Sequence, residues 1–141
     1  MSEKLQELVV VTPEREVLRE QVRFVLARGG LGELGVLPGH APLITTLETA
    51  PLEARRENKR IMLAIAGGFM EVSPQGVVVL ADAAERAEEI DVPRARRAKE
   101  RAEKRLASKD LDIDIRRAEA ALKRALVRLQ VAAGGEMGGQ E

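Results

Sequence analysis

The sequence predicts an α+β chain: an N-terminal antiparallel β-sandwich followed by a C-terminal antiparallel two-helix hairpin. Two observations carry this. Over about the first 82 residues, short apolar runs rich in β-branched side chains alternate with Gly and Pro turn signals, and no helical periodicity intervenes. From about residue 84 the pattern changes: no Gly occurs before residue 134, Pro93 is the only proline, and Ala, Glu, Lys, Arg and Leu dominate. The expected organisation is a sandwich domain over residues 1–86, a helical hairpin over 87–133 and a disordered Gly-rich tail over 134–141.

Each element has a local reason. Residues 8–12 form a β-branched run closed by Pro13, and in 22–26 the side chains of Val22, Phe24 and Leu26 share one face. Further strands are expected over 43–47, 52–55, 61–66, 69–72 and 77–80, with turns at Glu57-Asn58, Gly67-Gly68 and Pro74-Gln75-Gly76. Residues 30–35, Gly30-Leu31-Gly32-Glu33-Leu34-Gly35, match the dinucleotide fingerprint GxGxxG. That motif works only when a helix follows at once, and Pro38, Gly39 and Pro42 forbid one. The glycines are therefore read as tight loops between sandwich strands.

In the helical part, Asp91 is a candidate N-cap, with Pro93 tolerated in the first turn. Ala95, Ala98, Ala102 and Leu106 form one apolar seam, and Ile115, Ala118, Leu122, Ala125 and Leu129 form its partner. The polar stretch 108–114 between them offers Asp112 or Asp114 as the second cap. An Ala-rich seam permits close approach but buries little area, at roughly 25 cal/mol per Å². The hairpin is accordingly expected to be weakly held and able to detach.

Composition narrows the functional classes. The 141 residues carry no net charge, yet residues 86–128 hold 14 basic and 9 acidic side chains. Arg94, Arg97, Arg101 and Arg105 fall on one helical stripe, and Arg117, Arg124 and Arg128 form another, so the partner of this segment is anionic. The excess is too small for a duplex-DNA footprint, and two Phe with no Trp or Tyr leave no platform for base stacking. Nucleic acid is not an expected partner. Without cysteine there is no disulfide or thiol chemistry, and no apolar run reaches the ~18 residues of a membrane span. The single histidine, His40, has no nucleophile or metal-ligand company, so neither a catalytic centre nor a catalytic cofactor is expected.

Three segments resemble a known family. Gly32-Glu33-Leu34-Gly35-Val36-Leu37-Pro38-Gly39-His40-Ala41-Pro42-Leu43 resembles the signature loop of the epsilon subunit of F-type ATP synthases. The 61–72 stretch with its Ala66-Gly67-Gly68-Phe69 turn, and residues 77–82, continue the likeness. Ile90-Asp91-Val92-Pro93-Arg94-Ala95 is similar to that family's ATP-binding motif, I/L-D-x-x-R-A. The resemblance runs in order over about residues 5–129.

The resemblance implies a non-catalytic rotor subunit of the central stalk, peripheral to the cell membrane on its cytoplasmic side. Its sandwich would dock on the gamma subunit and the c-ring, with Glu33 and His40 in the rotor-contact loop. From the residues alone, Glu33 equally reads as a solvated acid and His40 as a loop histidine bonded to backbone. The family's hairpin inhibits ATP hydrolysis when extended against the catalytic beta and alpha subunits, and in some members binds ATP as a regulatory ligand when folded down. Matching that site residue by residue gives Glu85, Ile90, Asp91, Arg94, Ala95, Arg101, Arg124 and Arg128, with Arg117 at its margin. Arg101, Arg124 and Arg128 would hold phosphate oxygens, Ile90 and Ala95 the base, and Glu85 and Asp91 would accept hydrogen bonds from the adenine amine or neighbouring groups. Asp91 also reads as a cap alone, and Arg97 and Arg105 as solvated or as facing a beta subunit. The alternative is a stand-alone ATP-sensing module.

Overall fold

The computed structural model describes residues 4–134. Eight strands are followed by two helices: β1 (Gln6–Val11), β2 (Glu16–Val22), β3 (Phe24–Gly29), β4 (Gly32–Val36), β5 (Leu43–Arg56), β6 (Lys59–Ser73), β7 (Gly76–Ala81), β8 (Ala84–Arg86), α1 (Val92–Ala107) and α2 (Ile115–Ala132). A single 3-10 turn, Ala87–Glu89, joins β8 to α1. The strands run β2-β1-β7-β6-β5-β3-β4, with β8 beside β6. Every ladder is antiparallel except β1–β7, whose strands run parallel from Glu7 opposite Gly76 to Val11 opposite Leu80.

The long hairpin β5–β6 organises the sandwich. Its register is continuous from Leu43 opposite Val72 to Arg56 opposite Lys59, and Glu57 turns the tip with a φ of 53°. The sequence reading makes two strands of each, with gaps over 48–51, which contains Pro51, and at Gly67-Gly68. Pro51 breaks nothing because β3 pairs with β5 at Glu53 and again only at Leu47, so the missing amide falls in a gap of that ladder. Gly67 and Gly68, with φ of 77° and 123°, bend β6 where its neighbour changes from β8 to β7. A Cβ on Gly68 would lie 2.2 Å from the Leu80 carbonyl oxygen.

Three further strands differ from the sequence reading. β2 ends at Val22, and Arg23 breaks the chain before β3, donating its amide to Arg55 O at 2.8 Å. β4 occupies part of the Gly-rich stretch read as loop, pairing with β3 from Val36 opposite Val25 to Gly32 opposite Gly29. The short β8 pairs with β6 at Leu63–Ile65.

The main core draws on all eight strands, including Leu8, Val10, Val25, Leu52, Leu63, Met70 and Val79. A second apolar cluster lies on the opposite face of β6. There Met62 and Ala64 pack with Ile90 and with Val127 and Val131 of α2, while Leu63 and Ile65 point into the sandwich core. The apolar run from Ile61 is thus buried on both faces, by the sandwich and by the helical hairpin.

Both helices begin on aspartate caps: Asp91 Oδ1 accepts from the Arg94 amide and Asp114 Oδ1 from the Arg117 amide, each at 3.1 Å. Of the predicted seam, Ala95, Ala102, Ala118 and Ala125 are buried, whereas Ile115 is 60% exposed. Val127 and Val131, outside that seam, form a second stripe that attaches α2 to the sheet. Past the end of α2, Arg60 Nη1 donates to Gly134 O at 3.1 Å. Its Nε donates at 3.0 Å to Glu53, a β5 carboxylate that is 1% exposed and also accepts from Arg55. The expected tail over 134–141 lies, beyond Gly134, outside the described residues.

Candidate functional site

Docking of the hairpin leaves a cavity of about 640 Å³ between the sandwich and the facing helices. That volume falls within the ~300–1,000 Å³ of small-molecule sites. Its floor is β6 and β8, through Ala64 and Glu85. α1 contributes Arg94, Arg101 and Arg105; α2 contributes Arg124 and Arg128. Helical periodicity explains the convergence: the buried alanines fix which face of each helix meets the other, and the arginine stripe lies beside that face.

The electrostatics are uneven. Arg128 forms a fork on Glu85, with Nε donating to Oε1 at 2.7 Å and Nη2 to Oε2 at 3.3 Å, both groups partly buried. This pair ties α2 to β8. Arg94, Arg101, Arg105 and Arg124 make no side-chain hydrogen bond or ion pair among the described residues. Four of the cavity's arginines therefore have no ion-pair partner among the described residues.

Five of the nine residues matched to an ATP site, Glu85, Arg94, Arg101, Arg124 and Arg128, line this cavity. The other four lie elsewhere. Ile90, 9% exposed, belongs to the apolar cluster beneath Val127 and Val131. Ala95 is fully buried, Asp91 caps α1, and Arg117 sits exposed in the first turn of α2. Arg105, read from sequence as solvated or facing a beta subunit, is exposed and also lines the cavity. Arg15 and Glu14, from the β1–β2 turn, also line it and carried no sequence signal, since only tertiary packing brings them there.

Arg15 is linked to the segment that leads into α1. Its Nη2 donates to Glu89 Oε1 at 2.9 Å, and Glu89 also accepts from the Arg86 amide at 3.0 Å and from Arg86 Nη2 at 3.3 Å. The hydrogen bond from Arg15 draws the Glu89 carboxyl down from 4.5 to about 2, with burial opposing and the Arg86 amide assisting.

The two residues expected in a rotor-contact loop lie apart from this cavity, and only His40 is in a loop. Glu33, in β4, is exposed and 3.7 Å from Arg28. His40 follows β4, with Nδ1 2.7 Å from the Ala41 carbonyl oxygen. Exposed Leu31 and Leu37 flank the same region. Among the described residues no group of three or more His, Cys, Asp or Glu side chains is placed to hold a metal, and no helix is long and apolar enough to cross a membrane.

The beta-sandwich domain of the ATP synthase delta/epsilon chain matches residues 6–87, and the long alpha-helix domain of the same chain matches residues 88–133. This chain belongs to the ATP synthase delta/epsilon family. It is 52% identical over 129 residues to the ATP synthase epsilon chain of Desulforamulus reducens, covering 92% of this chain and 98% of that one. The epsilon chain of Moorella thermoacetica is also 52% identical, over 126 residues, with 89% and 94% covered. Among solved structures, a chain of the Euglena gracilis mitochondrial ATP synthase (OSCP/F1/c-ring, rotational state 1) superposes with a TM-score of 0.77 at 28% identity, covering 94% of this chain and 84% of that one. Family members are stalk subunits of the synthase rather than catalytic ones.

Proposed function

We propose that this chain is a rotor subunit of a proton-translocating ATP synthase whose helical hairpin is a nucleotide-sensitive brake on ATP hydrolysis. The sandwich binds the gamma subunit and the c-ring, using Glu33 of β4, His40 of the loop that follows it, and exposed Leu31 and Leu37. The subunit is then peripheral to the cell membrane, on its cytoplasmic side, held there through the complex.

One observation carries the regulatory part: arginines from both helices, with Glu85 from the sandwich, converge on a single cavity that exists only while the hairpin is docked. An anion with several charged oxygens, such as ATP, gains contacts there that the extended hairpin cannot offer. A ligand shifts a conformational equilibrium by its difference in affinity for the two states, so ATP favours the docked form. When the hairpin extends, the same arginines are free to meet acidic side chains of the catalytic beta and alpha subunits. Arg101 and Arg124 bind phosphate oxygens in this reading, while Arg128 is positioned by Glu85. Asp91, Ile90 and Ala95 act indirectly, by starting α1 and seating it.

The test is reconstitution. Truncation after residue 86 is expected to leave association with the gamma subunit intact and to raise ATP hydrolysis by the assembled complex. Failure to associate would contradict the rotor assignment, and unchanged hydrolysis would contradict the brake.

A further inference from the structure

The cavity has a cation that belongs to neither helix. Arg15 sits in the tight turn between β1 and β2, built on buried Thr12: the Thr12 amide donates to Arg15 O at 2.9 Å, and Thr12 Oγ1 accepts from the amides of Glu14 and Arg15 at 3.3 and 3.4 Å. This anchors the backbone from which the Arg15 side chain reaches the cavity wall. Its Nη2 is held by Glu89 at 2.9 Å, while Nε and Nη1 make no hydrogen bond among the described residues. Glu89 is itself fixed by the amide and guanidinium of Arg86. The guanidinium is therefore held at one corner and retains donors for a further acceptor.

Charge gives the ligand class. Six arginines and two glutamates line the cavity; Arg128 is paired with Glu85 and one corner of Arg15 with Glu89, which leaves Arg94, Arg101, Arg105 and Arg124 without an ion-pair partner among the described residues. Such a surplus, spread over three elements, fits an extended polyanion better than a single carboxylate.

We propose that Arg15 is an anion-binding residue of this cavity, supplied by the sandwich and held in place by Glu89, so that a nucleoside polyphosphate grips the β1–β2 turn as well as both helices. This rests on the nucleotide reading above and sharpens it. A ligand held by the two helices alone would stabilise the hairpin against opening, but would not by itself hold the hairpin to the sandwich. Contact with Arg15 adds a phosphate-mediated bridge between the two parts.

Calorimetric titration of the full chain with ATP tests this, using wild type, Arg15→Gln, Glu89→Gln and Arg124→Ala. Arg15 is about half exposed, so its replacement leaves the sandwich core intact. We expect Arg15→Gln to weaken ATP binding about three- to tenfold, as for a charged hydrogen bond lost at a partly exposed site. Glu89→Gln keeps an acceptor for Arg15 but removes the competing charge, so affinity is expected to stay level or rise. Wild-type affinity in Arg15→Gln, with binding weakened in Arg124→Ala, would overturn the role of Arg15 and leave the nucleotide reading standing. Equal weakening in Arg15→Gln and Glu89→Gln would mean that the ion pair is structural, which also overturns it. A wild-type chain that does not bind ATP would overturn both.

Discussion

Replacing Val131 by Ala isolates the contact that holds the hairpin down. Val131 is fully buried, yet it belongs to the cluster with Met62, Ala64, Ile90 and Val127, not to the sandwich core. Losing two buried methyl groups costs about 1.6 kcal/mol of transfer free energy, and the cavity left behind raises this to about 2 kcal/mol. At 1.4 kcal/mol per tenfold, the docking equilibrium shifts about 30-fold toward release. The chain contains no cysteine, so a single Ala64→Cys substitution places one thiol directly beneath α2. Its labelling rate then reports opening of this interface. We expect Val131→Ala to accelerate labelling at position 64 about 30-fold, while a thiol placed by Ala54→Cys, on the fully buried core side of β5, is labelled no faster. An unchanged rate at position 64, or equal acceleration at both positions, would refute the view that Val131 docks the hairpin independently of sandwich folding.

Other consequences follow from the same geometry. The pKa of Glu89 is lowered on folding, from 4.5 to about 2, so its stabilising contribution is present above about 4.5 and is lost as pH falls toward 2. The stability difference between wild type and Glu89→Gln, followed by urea unfolding, should shrink across that window; a constant difference would contradict the pairing with Arg15. Glu53→Gln should cost about 1–3 kcal/mol in the same assay, less than for a fully enclosed pair because Arg55 and Arg60 reach solvent. A neutral result would mean that this buried carboxylate does not anchor its arginines. Gly68→Ala combines a φ of 123° with a Cβ 2.2 Å from Leu80 O, and should cost about 3 kcal/mol or more. Wild-type stability in that variant would rule out the bend in β6 as described.

The division between strands and helices was legible because Gly and Pro punctuation stops where helix formers begin. Strand lengths were not. Pro51 and Gly67-Gly68 look like breaks in sequence, and only the surrounding ladders make them a tolerated gap and a bend. The run Ile61-Met62-Leu63-Ala64-Ile65-Ala66 did carry information about docking, since a strand with one wet face would alternate. Val127 and Val131 carry the matching signal on α2, but the Ala seam at similar spacing dominated the helical pattern. The arginine stripes were readable from periodicity and Asp91 from capping chemistry, which left Asp112 and Asp114 both open for the second helix; the structure uses Asp114. Arg15 was not readable, because a turn some 80 residues from the helices reaches the cavity only through the fold.

In the proposed function, Arg101 and Arg124 of the docked hairpin form a polyphosphate site, and calorimetric titration of the isolated full chain with ATP is the decisive test of it. Saturable binding at one site is expected, weakened by about 1–3 kcal/mol in Arg101→Ala and in Arg124→Ala, as for lost charged hydrogen bonds. Undiminished affinity in both variants would rule out a phosphate site built on these arginines.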